Sequence, residues 1–450
     1  MLIDDQTFKN IYNKITGNIN NSVNFNYTGV FIDGGNNNNH IQVHNVLSVD
    51  KISKFHVTVS DNIFVALQVY KTVYMQLLAV NRKQLRFQLT YAINSPTGMN
   101  VTTGLSIVET YDALLTDNIS ESIETRSGQL SGNQTDNLGE LVEINVQLIE
   151  RGLSEFRLWD QGGVYRNVTV LQLLQGLMSL PLKTLNQDMT TGFNVTVYPP
   201  DNTNIYYQRL IPNGIRLTDL PGFIQKTWGV YSSGLGSYLR KGMWYIYPLY
   251  DMSRYNKETK RLTIINIPPN EMMGNPNSYV MIDNELYILT TGITKHIDES
   301  DRNLDTTGTG FRTAKAGNLM DKFTQSANGN TVIAPGSNMV SVSYDSRASE
   351  LTNLKTPDKL LSCNPWADSS RVIMNLTNLI KVTQEYSNHD LFMPYMPVKF
   401  IYKKLGKPQV LYGVLLGVES HSSSPLQSSL DKRYRTSSLL TIAVERNTQG

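Results

Sequence analysis

The stretch of sequence that decides the fold lies near the end of the chain. It reads Lys407-Pro-Gln-Val-Leu-Tyr-Gly-Val-Leu-Leu-Gly-Val-Glu-Ser-His421 and, after a polar interval, Tyr434-Arg-Thr-Ser-Ser-Leu-Leu-Thr-Ile-Ala-Val-Glu445. Both runs are rich in Val, Ile, Leu and Tyr and carry little charge, which is typical of buried strands. The interval is rich in Ser, so we predict a long hairpin whose polar tip spans Ser420–Arg435.

This hairpin belongs to a β-unit at the end of the chain. We predict its strands over Gln409–Glu419 and Ser437–Glu445, with a preceding strand over Val398–Tyr402. The turn between the strands Val398–Tyr402 and Gln409–Glu419 is predicted at Leu405-Gly406-Lys407-Pro408, because Gly and Pro favour tight turns. Residues 371–450 are therefore interpreted as a small β-barrel-like unit.

The N-terminal part of the chain predicts a second β-unit that contains a helix. Alternating apolar residues within 30–43 indicate two strands around a turn rich in Gly and Asn. After Asp61, apolar residues recur mostly at spacings of three and four, and the Asp61 side chain can accept from the free amides of a first helical turn. We therefore predict a β-barrel-like unit over residues 1–115 with a helix inserted over 61–80.

The middle of the chain alternates between polar and apolar segments. Residues 116–139 predict an exposed loop, and residues 298–370 predict a long loop or irregular region. Between them, residues 140–297 predict a mixed region with a helix over 217–228 and an aromatic strand over 238–247. The predicted fold class is mainly β (α+β): two small β-barrel-like units with inserted helices and a mixed helix-plus-strand middle region.

Composition excludes several classes of function. The chain has 450 residues, with 40 Lys and Arg against 38 Asp and Glu, and a net charge of +2. This balance creates no field that favours a polyanion, so a dedicated nucleic-acid binder is not expected. The single cysteine, Cys363, excludes an intramolecular disulfide framework and a multi-cysteine zinc site. The sequence contains no apolar run of about 18 residues, so we expect no membrane insertion, and its acidic first residues predict no secretory signal.

The motif that comes nearest to a metal site is an incomplete calcium loop. Asp301-Arg-Asn-Leu-Asp305 places oxygen ligands at alternate positions. Thr306 stands where the sharp turn requires glycine, and Arg312 stands where a bidentate glutamate belongs. We therefore predict no metal ion there.

Other candidate chemistry fails in the same way. His40 and His44 share one face of a predicted strand without a nearby carboxylate to complete a metal site. His421, Asp431 and a nearby serine resemble the members of a triad, but no nucleophile elbow holds the serine. We therefore expect no enzyme activity, no catalytic residues and no cofactor.

Charge is segregated between two segments of the sequence. Residues 271–305 hold seven acidic and two basic side chains, a net charge of −5, whereas residues 396–435 hold seven basic and two acidic ones, a net charge of +5. The segments are either solvated faces or complementary surfaces that meet across a subunit interface. The candidate interface residues are Lys399, Lys403, Lys404, Lys407, Arg433, Arg435, Asp298, Glu299, Asp301 and Asp305.

The order of these parts resembles the central hub proteins of phage tails and related contractile injection machines. In that family a late hairpin with a polar tip returns through an apolar final strand, as Lys407–His421 and Tyr434–Glu445 do here. The resemblance implies a virion tail component, assembled in the host cytoplasm, that forms a homotrimeric ring. Such a ring adapts the hexameric tail tube to the trimeric central spike or other baseplate proteins, with DNA passing only transiently through its lumen. The loops 116–139 and 298–331 would then act as arms exchanged between subunits.

Two alternatives to a hub remain at the level of sequence. One is another virion ring component, such as a neck, collar or baseplate wedge protein. The other is a β-rich tail protein that binds or depolymerises carbohydrate, which would need an exposed aromatic groove with facing carboxylates. Trp244, Tyr245 and Tyr247 are the densest aromatic candidates for that groove, although packing in a core is the simpler account of them.

Overall fold

The computed structural model describes residues 6, 9–10, 12–13, 24–33, 40–78, 85–94, 106–116, 141–185, 194–267, 279–282, 284–291, 295–297, 311–317, 331–333, 339–345, 377–404, 407–424 and 434–445. The chain is mainly β within these ranges, as predicted. Its strands are β1 Asn24–Asp33, β2 His40–Gln42, β3 Asn45–Lys54, β4 Asn62–Tyr70, β5 Leu85–Asn94, β6 Ile107–Leu115, β7 Leu141–Glu150, β8 Asp160–Val168, β9 Asn194–Val197, β10 Tyr206–Arg216, β11 Leu235–Arg240, β12 Met243–Pro248, β13 Arg261–Ile267, β14 Tyr279–Ile282, β15 Glu285–Thr291, β16 Lys295–Ile297, β17 Phe311–Gly317, β18 Thr331–Ile333, β19 Met339–Asp345, β20 Thr377–Glu385, β21 Pro397–Lys404, β22 Lys407–Ser423 and β23 Arg435–Glu445. Its helices are α1 Lys71–Val73, continued by a π-helical turn over Tyr74–Leu78, α2 Leu153–Leu158, α3 Val170–Leu185 and α4 Leu220–Thr227, with 3-10 turns at Met252–Asn256 and His389–Leu391.

The hairpin of β22 and β23 is shared by both halves of one large sheet. One edge of β22 pairs with β23 from Gly413 to Ser423. The opposite edge pairs first with β21 and then, from Gly417 onward, with β3. The β22–β23 register shifts between Leu415 and Gly417, near the point where the partner on the opposite edge changes from β21 to β3. A single strand thus supplies backbone hydrogen bonds to two units.

The first barrel-like unit starts at the far half of β22 and continues through β3, β4, β7, β6, β5, β1 and β2. At its other end, Phe25 of β1 and Tyr434 beside β23 exchange two backbone hydrogen bonds of 3.0 and 2.8 Å. The sheet therefore curls back onto the shared hairpin around its own hydrophobic core. Continuous ladders among the described strands do not close it into a full barrel.

The second unit uses the near half of the same hairpin. Strands β21, β13, β15 and β14 continue from β22, and β20 and β16 continue from β23. β13 pairs in parallel with both β21 and β15. A parallel strand of this kind is covered on both faces, and β13 is buried from Leu262 to Ile267, including the polar residues Thr263 and Asn266.

The middle region forms a third hydrophobic core between the helices α2 to α4 and the sheet β9–β12–β11. Trp244 of β12 is fully buried there and contacts Phe156 of α2 edge-on, with ring centroids 5.4 Å apart. The Gln225 side chain fixes the turn after α4, because it accepts from the amides of Val230 and Tyr231 at 2.8 and 3.0 Å. A separate antiparallel ribbon, β8 with β10, belongs to this region.

The helix predicted over residues 61–80 is wrong, because this segment forms strand β4 and becomes helical only from Lys71. The spacings of three and four that suggested a helix coexist with an alternation of period two. The residues of that alternation are all buried: Ile63, Val65, Leu67 and Val69. Pairing with β3 on one edge and β7 on the other decides between the two patterns.

The aromatic strand predicted over 238–247 is in fact a hairpin. Lys241 and Gly242 take positive φ angles of 51° and 74°, which is the backbone of a tight two-residue turn. The chain reverses there, and Leu239 of β11 lies opposite Trp244 of β12. The neighbouring helix, predicted over 217–228, is confirmed as α4, with Pro221 in its first turn.

Two polar segments contain more strand than predicted. Within the predicted irregular region 298–370, strands β17, β18 and β19 form a small antiparallel sheet. The hairpin tip predicted over Ser420–Arg435 also begins too early, because β22 continues to Ser423. Ser420 and Ser422 are buried, and their hydroxyls bond to side chains on β23, so their polarity does not indicate exposure. Loop 116–139 beyond Thr116 and the tip residues 425–433 lie outside the described residues, and the domain boundaries stay predictions.

The closeness of β22 and β23 leads to a prediction at Gly413. A Cβ at this position would lie 2.3 Å from the backbone oxygen of Ala443, which cannot move without opening the ladder. We expect Gly413→Ala to lower the free energy of unfolding by about 1–3 kcal/mol, measured by urea denaturation. Gly176→Ala is the control, because nothing lies within 4 Å of a Cβ in that part of α3. Equal unfolding midpoints for the two variants would contradict this account of the hairpin.

Candidate functional site

Six charged side chains meet where the two β-units and the middle region join. They form what we call the ionic cluster: Lys51 of β3, Asp61 before β4, Glu109 of β6, Arg240 of β11, Lys241 of the following turn, and Asp390 of the 3-10 turn before β21. Three cations therefore face three carboxylates. Arg240 and Lys241 are neighbours in one hairpin, but the other four come from separate elements, so the cluster connects parts of the chain that are far apart in sequence.

The distances within the cluster are those of direct ion pairs. Lys51 Nζ lies 3.6 Å from Glu109 Oε2 and 3.8 Å from Asp390 Oδ1. Arg240 contributes Nε at 3.3 Å from Asp61 Oδ2 and Nη2 at 3.5 Å from Asp390 Oδ1. Lys241, the more exposed cation, places Nζ 2.9 Å from Glu109 Oε1 and 3.2 Å from Asp390 Oδ1. Each buried charge thus has an opposite charge beside it, as burial requires.

Local structure explains how these side chains reach the interior. On β3 the inward positions after Val49 are Lys51 and Ser53, so the alternation of the strand carries a lysine into the junction. On the other side, the tight turn at Lys241 ends β11 directly after Arg240 and presents both cations together. Asp390 lies in a short turn, and its own amide donates to the side-chain oxygen of the capping residue Asn388 at 3.1 Å.

Hydroxyl groups complete the hydrogen bonding of the carboxylates. Tyr111 donates to Glu109 Oε2 at 2.6 Å, and Tyr238 donates to Asp61 Oδ1 at 2.7 Å. The Tyr91 hydroxyl contacts both Glu109, at 3.2 Å, and Asp390. Such bonds stabilise the ionised carboxylates in a site that excludes most water.

A row of polar groups leads from the cluster into the shared hairpin. Ser53 contacts Asp61 and lies 2.8 Å from His389 Nε2, while His389 Nδ1 lies 2.7 Å from Ser420 Oγ. Ser420 Oγ is in turn 2.6 Å from Ser438 Oγ on β23. The polar half of the hairpin therefore hydrogen-bonds to the junction of the three regions.

The cluster holds its members in fixed charge states. Burial would raise the pKa of Asp390, but Lys51, Lys241 and Arg240 outweigh it and hold that pKa well below its ordinary value. Burial would likewise lower the pKa of Lys51, yet Asp390 and Glu109 raise it. Burial, with Arg240 nearby, lowers the pKa of His389 to about 3, so its ring is neutral and bonds to both serines.

A cleft of about 510 Å³ opens beside the cluster, between β6 and the turn at Lys241. Its wall includes the exposed apolar residues Ile107 and Val108 together with Glu150 at the end of β7. Glu150 Oε1 accepts from the Gly242 amide at 2.7 Å. Burial raises the pKa of Glu150 to about 8, so this carboxyl group is largely protonated at neutral pH.

The structure describes some of the predicted interface residues. Lys399 is half-buried on β21 with Nζ 5.9 Å from the Tyr255 ring centroid, and burial lowers its pKa. Lys403 and Lys404 end β21 beside Lys407, and the Arg435 guanidinium lies 5.5 Å from the Tyr386 ring centroid. The remaining candidates lie outside the described residues: Arg433, Asp298, Glu299, Asp301 and Asp305. Their meeting across a subunit interface stays a prediction.

Sequence reasoning did not identify the ionic cluster. The one local signal is Lys51, a charged residue at an inward position of an otherwise alternating strand. Among the described residues, no group of three or more His, Cys, Asp or Glu side chains could hold a metal ion. None of the helices in the described ranges is long and apolar enough to cross a membrane.

Comparisons with known proteins find similarity among solved structures. No family model and no curated protein sequence matches the chain. The fold is similar to the 43 kDa tail protein of prophage MuSo2 from Shewanella oneidensis, at 10% identity and a TM-score of 0.44, over 93% of this chain and 98% of that one. It is also similar to a chain of the half-lidded Francisella PdpA-VgrG complex, at 8% identity and a TM-score of 0.39, over 94% of this chain and 58% of that one.

A third similar structure is the E. coli c3393 protein, described as a type VI secretion component that resembles the T4 tail proteins gp27 and gp5. The identity is 10% and the TM-score 0.37, over 90% of this chain and 74% of that one. The structural neighbours are thus a prophage tail protein, a chain of a PdpA-VgrG complex and a type VI secretion component. They agree with the resemblance found in the sequence at the level of fold alone.

The cluster generates a prediction about stability. Arg240 is buried and bonds to Asp61 and Asp390 as well as to the carbonyl oxygens of His389 and Phe392. We expect Arg240→Met to lower the free energy of unfolding by about 3–5 kcal/mol, because two buried carboxylates lose a cation. The control is Lys54→Met, which removes an exposed pair with Glu419 at 3.7 Å and should cost less than about 1 kcal/mol. Similar losses in chemical denaturation would show that the cluster does not hold the units together.

Glu150 generates a prediction about pH. Its pKa is raised from 4.5 to about 8 in the folded chain, so its contribution to stability is fully present below pH 4.5 and is lost as pH rises through 8. Glu150→Gln retains the acceptor for Gly242 without this loss. We expect the variant to be more stable by on the order of 1–2 kcal/mol at pH 8–9 and equal to wild type near pH 4, since the partial exposure of the side chain reduces the full effect. Denaturation at several pH values tests this, and a constant difference between the two proteins would disprove it.

Proposed function

We propose that this chain is a structural component of the tail tip of a virion or a related injection machine. In the finer form of the proposal, three copies form a ring that adapts a hexameric tail tube to a trimeric central spike. The ring would admit DNA only transiently through its lumen and would be assembled in the host cytoplasm.

The observation that carries the proposal is the pairing of two barrel-like units around one hairpin. β22 gives backbone hydrogen bonds to both units, and the ionic cluster joins them to the middle region. In this proposal the two units occupy equivalent positions in the ring, although the first is antiparallel and the second contains the parallel strand β13. Three such subunits in a cyclic ring would present six, which is the number that a hexameric tube requires.

We further propose that the chain has no enzymatic role. What supports this is the use of its buried charges, because each member of the ionic cluster is paired with an opposite charge. The aromatic residues of the carbohydrate alternative are also placed unfavourably for a groove. Trp244 and Tyr247 are buried in two different cores, and Tyr245 packs against Tyr395 with ring centroids 5.5 Å apart.

The mass of the assembled protein tests this proposal. We expect sedimentation of the purified chain to give three times the 50.7 kDa subunit mass, and particle images to show threefold symmetry. A ring of another order would contradict the hub and favour a neck, collar or wedge component. A monomer that binds and cleaves a polysaccharide would contradict the structural role altogether.

A further inference from the structure

The cleft beside the ionic cluster contains the open edge of a β-strand. Strand β6 pairs with β5 along one edge from Ile107 to Asp112, but with β7 along the other edge only from Tyr111 to Leu115. β7 ends at Glu150, and the chain turns there toward α2. The first part of β6 therefore has no strand beside it on the cleft side in the part of the chain that the structure describes.

The hydrogen-bond pattern shows which backbone groups of β6 point to this open side. The Thr116 amide donates to the Asn145 oxygen at 3.0 Å, so the backbone of Thr116 bonds toward β7. Backbone groups alternate between the two edges of a strand, and no bulge interrupts either ladder of β6, so every second residue before Thr116 points the same way. Val108 is one of them, and none of the described residues gives its N–H or C=O a backbone partner. The open edge thus offers a free donor and a free acceptor.

The side chains along this edge are apolar. Ile107 and Val108 are 36% and 50% exposed, and both line the cleft together with Ile63. Native proteins usually protect an exposed strand edge with lysine, proline or a bulge, because such an edge pairs readily with another extended chain. Residues 106–108 contain none of these protecting features. An unprotected edge of this kind is typical of a sheet that accepts a strand from a partner.

The charge of the cleft favours an acidic occupant. The three cations and three carboxylates of the ionic cluster balance one another. Burial raises the pKa of Glu150 to about 8, so this wall residue adds little negative charge at neutral pH. Arg151 also lines the cleft, is partly buried, and forms no ion pair with any of the described residues. A positive charge that lacks a counter-charge therefore remains in the wall.

We propose that the cleft binds an extended, acidic peptide segment of a partner protein, which adds to the open edge of β6 as a further strand. The backbone of the segment bonds to Val108, its apolar side chains cover Ile107 and Val108, and its carboxylate pairs with Arg151. The volume of about 510 Å³ lies in the range of ligand clefts. The inference goes beyond the proposed ring and does not depend on it, since a single copy of the chain contains the whole cleft.

Binding of a synthetic peptide tests the proposal. The probe is a fluorescein-labelled peptide with blocked termini that alternates threonine and valine and carries one central glutamate, and fluorescence anisotropy with the full chain measures its affinity. Two further versions carry backbone N-methyl groups on alternate residues, on the odd positions in one and on the even positions in the other. Because the amides of a strand alternate between its edges, only one of these two should lose binding. Equal affinities of the two methylated versions, or no binding of the unmethylated probe, would overturn the proposal.

A substitution at Val108 tests the position of the added strand. Val108→Pro removes the N–H that points into the cleft and leaves the ladder with β5 complete, since proline is tolerated where the amide faces away from its neighbour strand. We expect it to weaken binding of the probe about threefold to tenfold, the effect of one lost hydrogen bond. The control is Val108→Thr, which keeps the amide and a similar shape and should bind as wild type does. Equal affinities of the two variants would show that the edge is not the binding site.

A charge cycle tests the acidic preference, and it also decides the matter if Val108→Pro does not fold. Arg151→Gln should weaken binding of the glutamate probe about threefold to fivefold and leave unchanged the affinity of a probe with glutamine in its place. Equal losses for the two probes would overturn the pairing with Arg151. Sedimentation distinguishes this inference from the proposed ring. A trimer that binds no probe contradicts only the peptide site, and a monomer that binds it contradicts only the ring.

Discussion

Strand β22 has to satisfy both halves of one large sheet with one backbone. Of its 17 residues, those from Gly413 to Ser423 pair with β23 along one edge, while the other edge pairs with β21 and then with β3. Because side chains alternate between faces, a slip of one residue would turn every core-facing side chain of β22 outward in both units at once. The bulge between Leu415 and Gly417 is where the strand adapts to its second partner. The strand register of one unit therefore fixes the strand register of the other.

This constraint explains why the far half of the hairpin is polar. Beyond Val418, the inward positions of β22 are Ser420 and Ser422, which meet Ser438 and Thr436 of β23 rather than aliphatic residues. Ser420 in turn contacts His389, the neighbour of Asp390 in the ionic cluster. Buried polar groups contribute less to stability than well-packed apolar ones, but they accept only one arrangement of partners. The hairpin thus combines an apolar half that stabilises the second unit with a polar half that specifies the junction.

The sequence predicts elements whose signals are local and misses those that depend on distant partners. The strands β22 and β23 and the helix α4 could be predicted, because composition, turn residues and Pro221 all agree within a few residues. The segment after Asp61 satisfies two periods, and only the pairing of β4 with β3 and β7 decides between them. The ionic cluster is even harder to predict from the sequence, since Lys51 and Asp390 are 339 positions apart and neither lies in a motif. Their proximity follows from the shared hairpin rather than from any local pattern.

A comparison of two buried arginines extends this reasoning to the surface. Arg240 and Arg209 are 3% and 1% exposed, yet only Arg240 has carboxylates and carbonyl oxygens around it. The guanidinium at the junction is thus compensated by ion pairs and carbonyl oxygens, whereas the one at the ribbon lies against the rings of Tyr206 and Trp228, whose centroids are 3.9 and 5.1 Å away. Unpaired guanidinium nitrogens also occur at Arg254, which is 4% exposed and whose Nη1 and Nη2 lack a hydrogen-bond partner among the described residues, so such nitrogens do not by themselves indicate a partner protein. Leu210 lies on the other face of the ribbon from Arg209, because successive residues of a strand alternate between faces, so its exposure is a separate feature. The two arginines therefore show two ways in which this fold covers a buried guanidinium: with carboxylates at the junction and with aromatic rings at the ribbon.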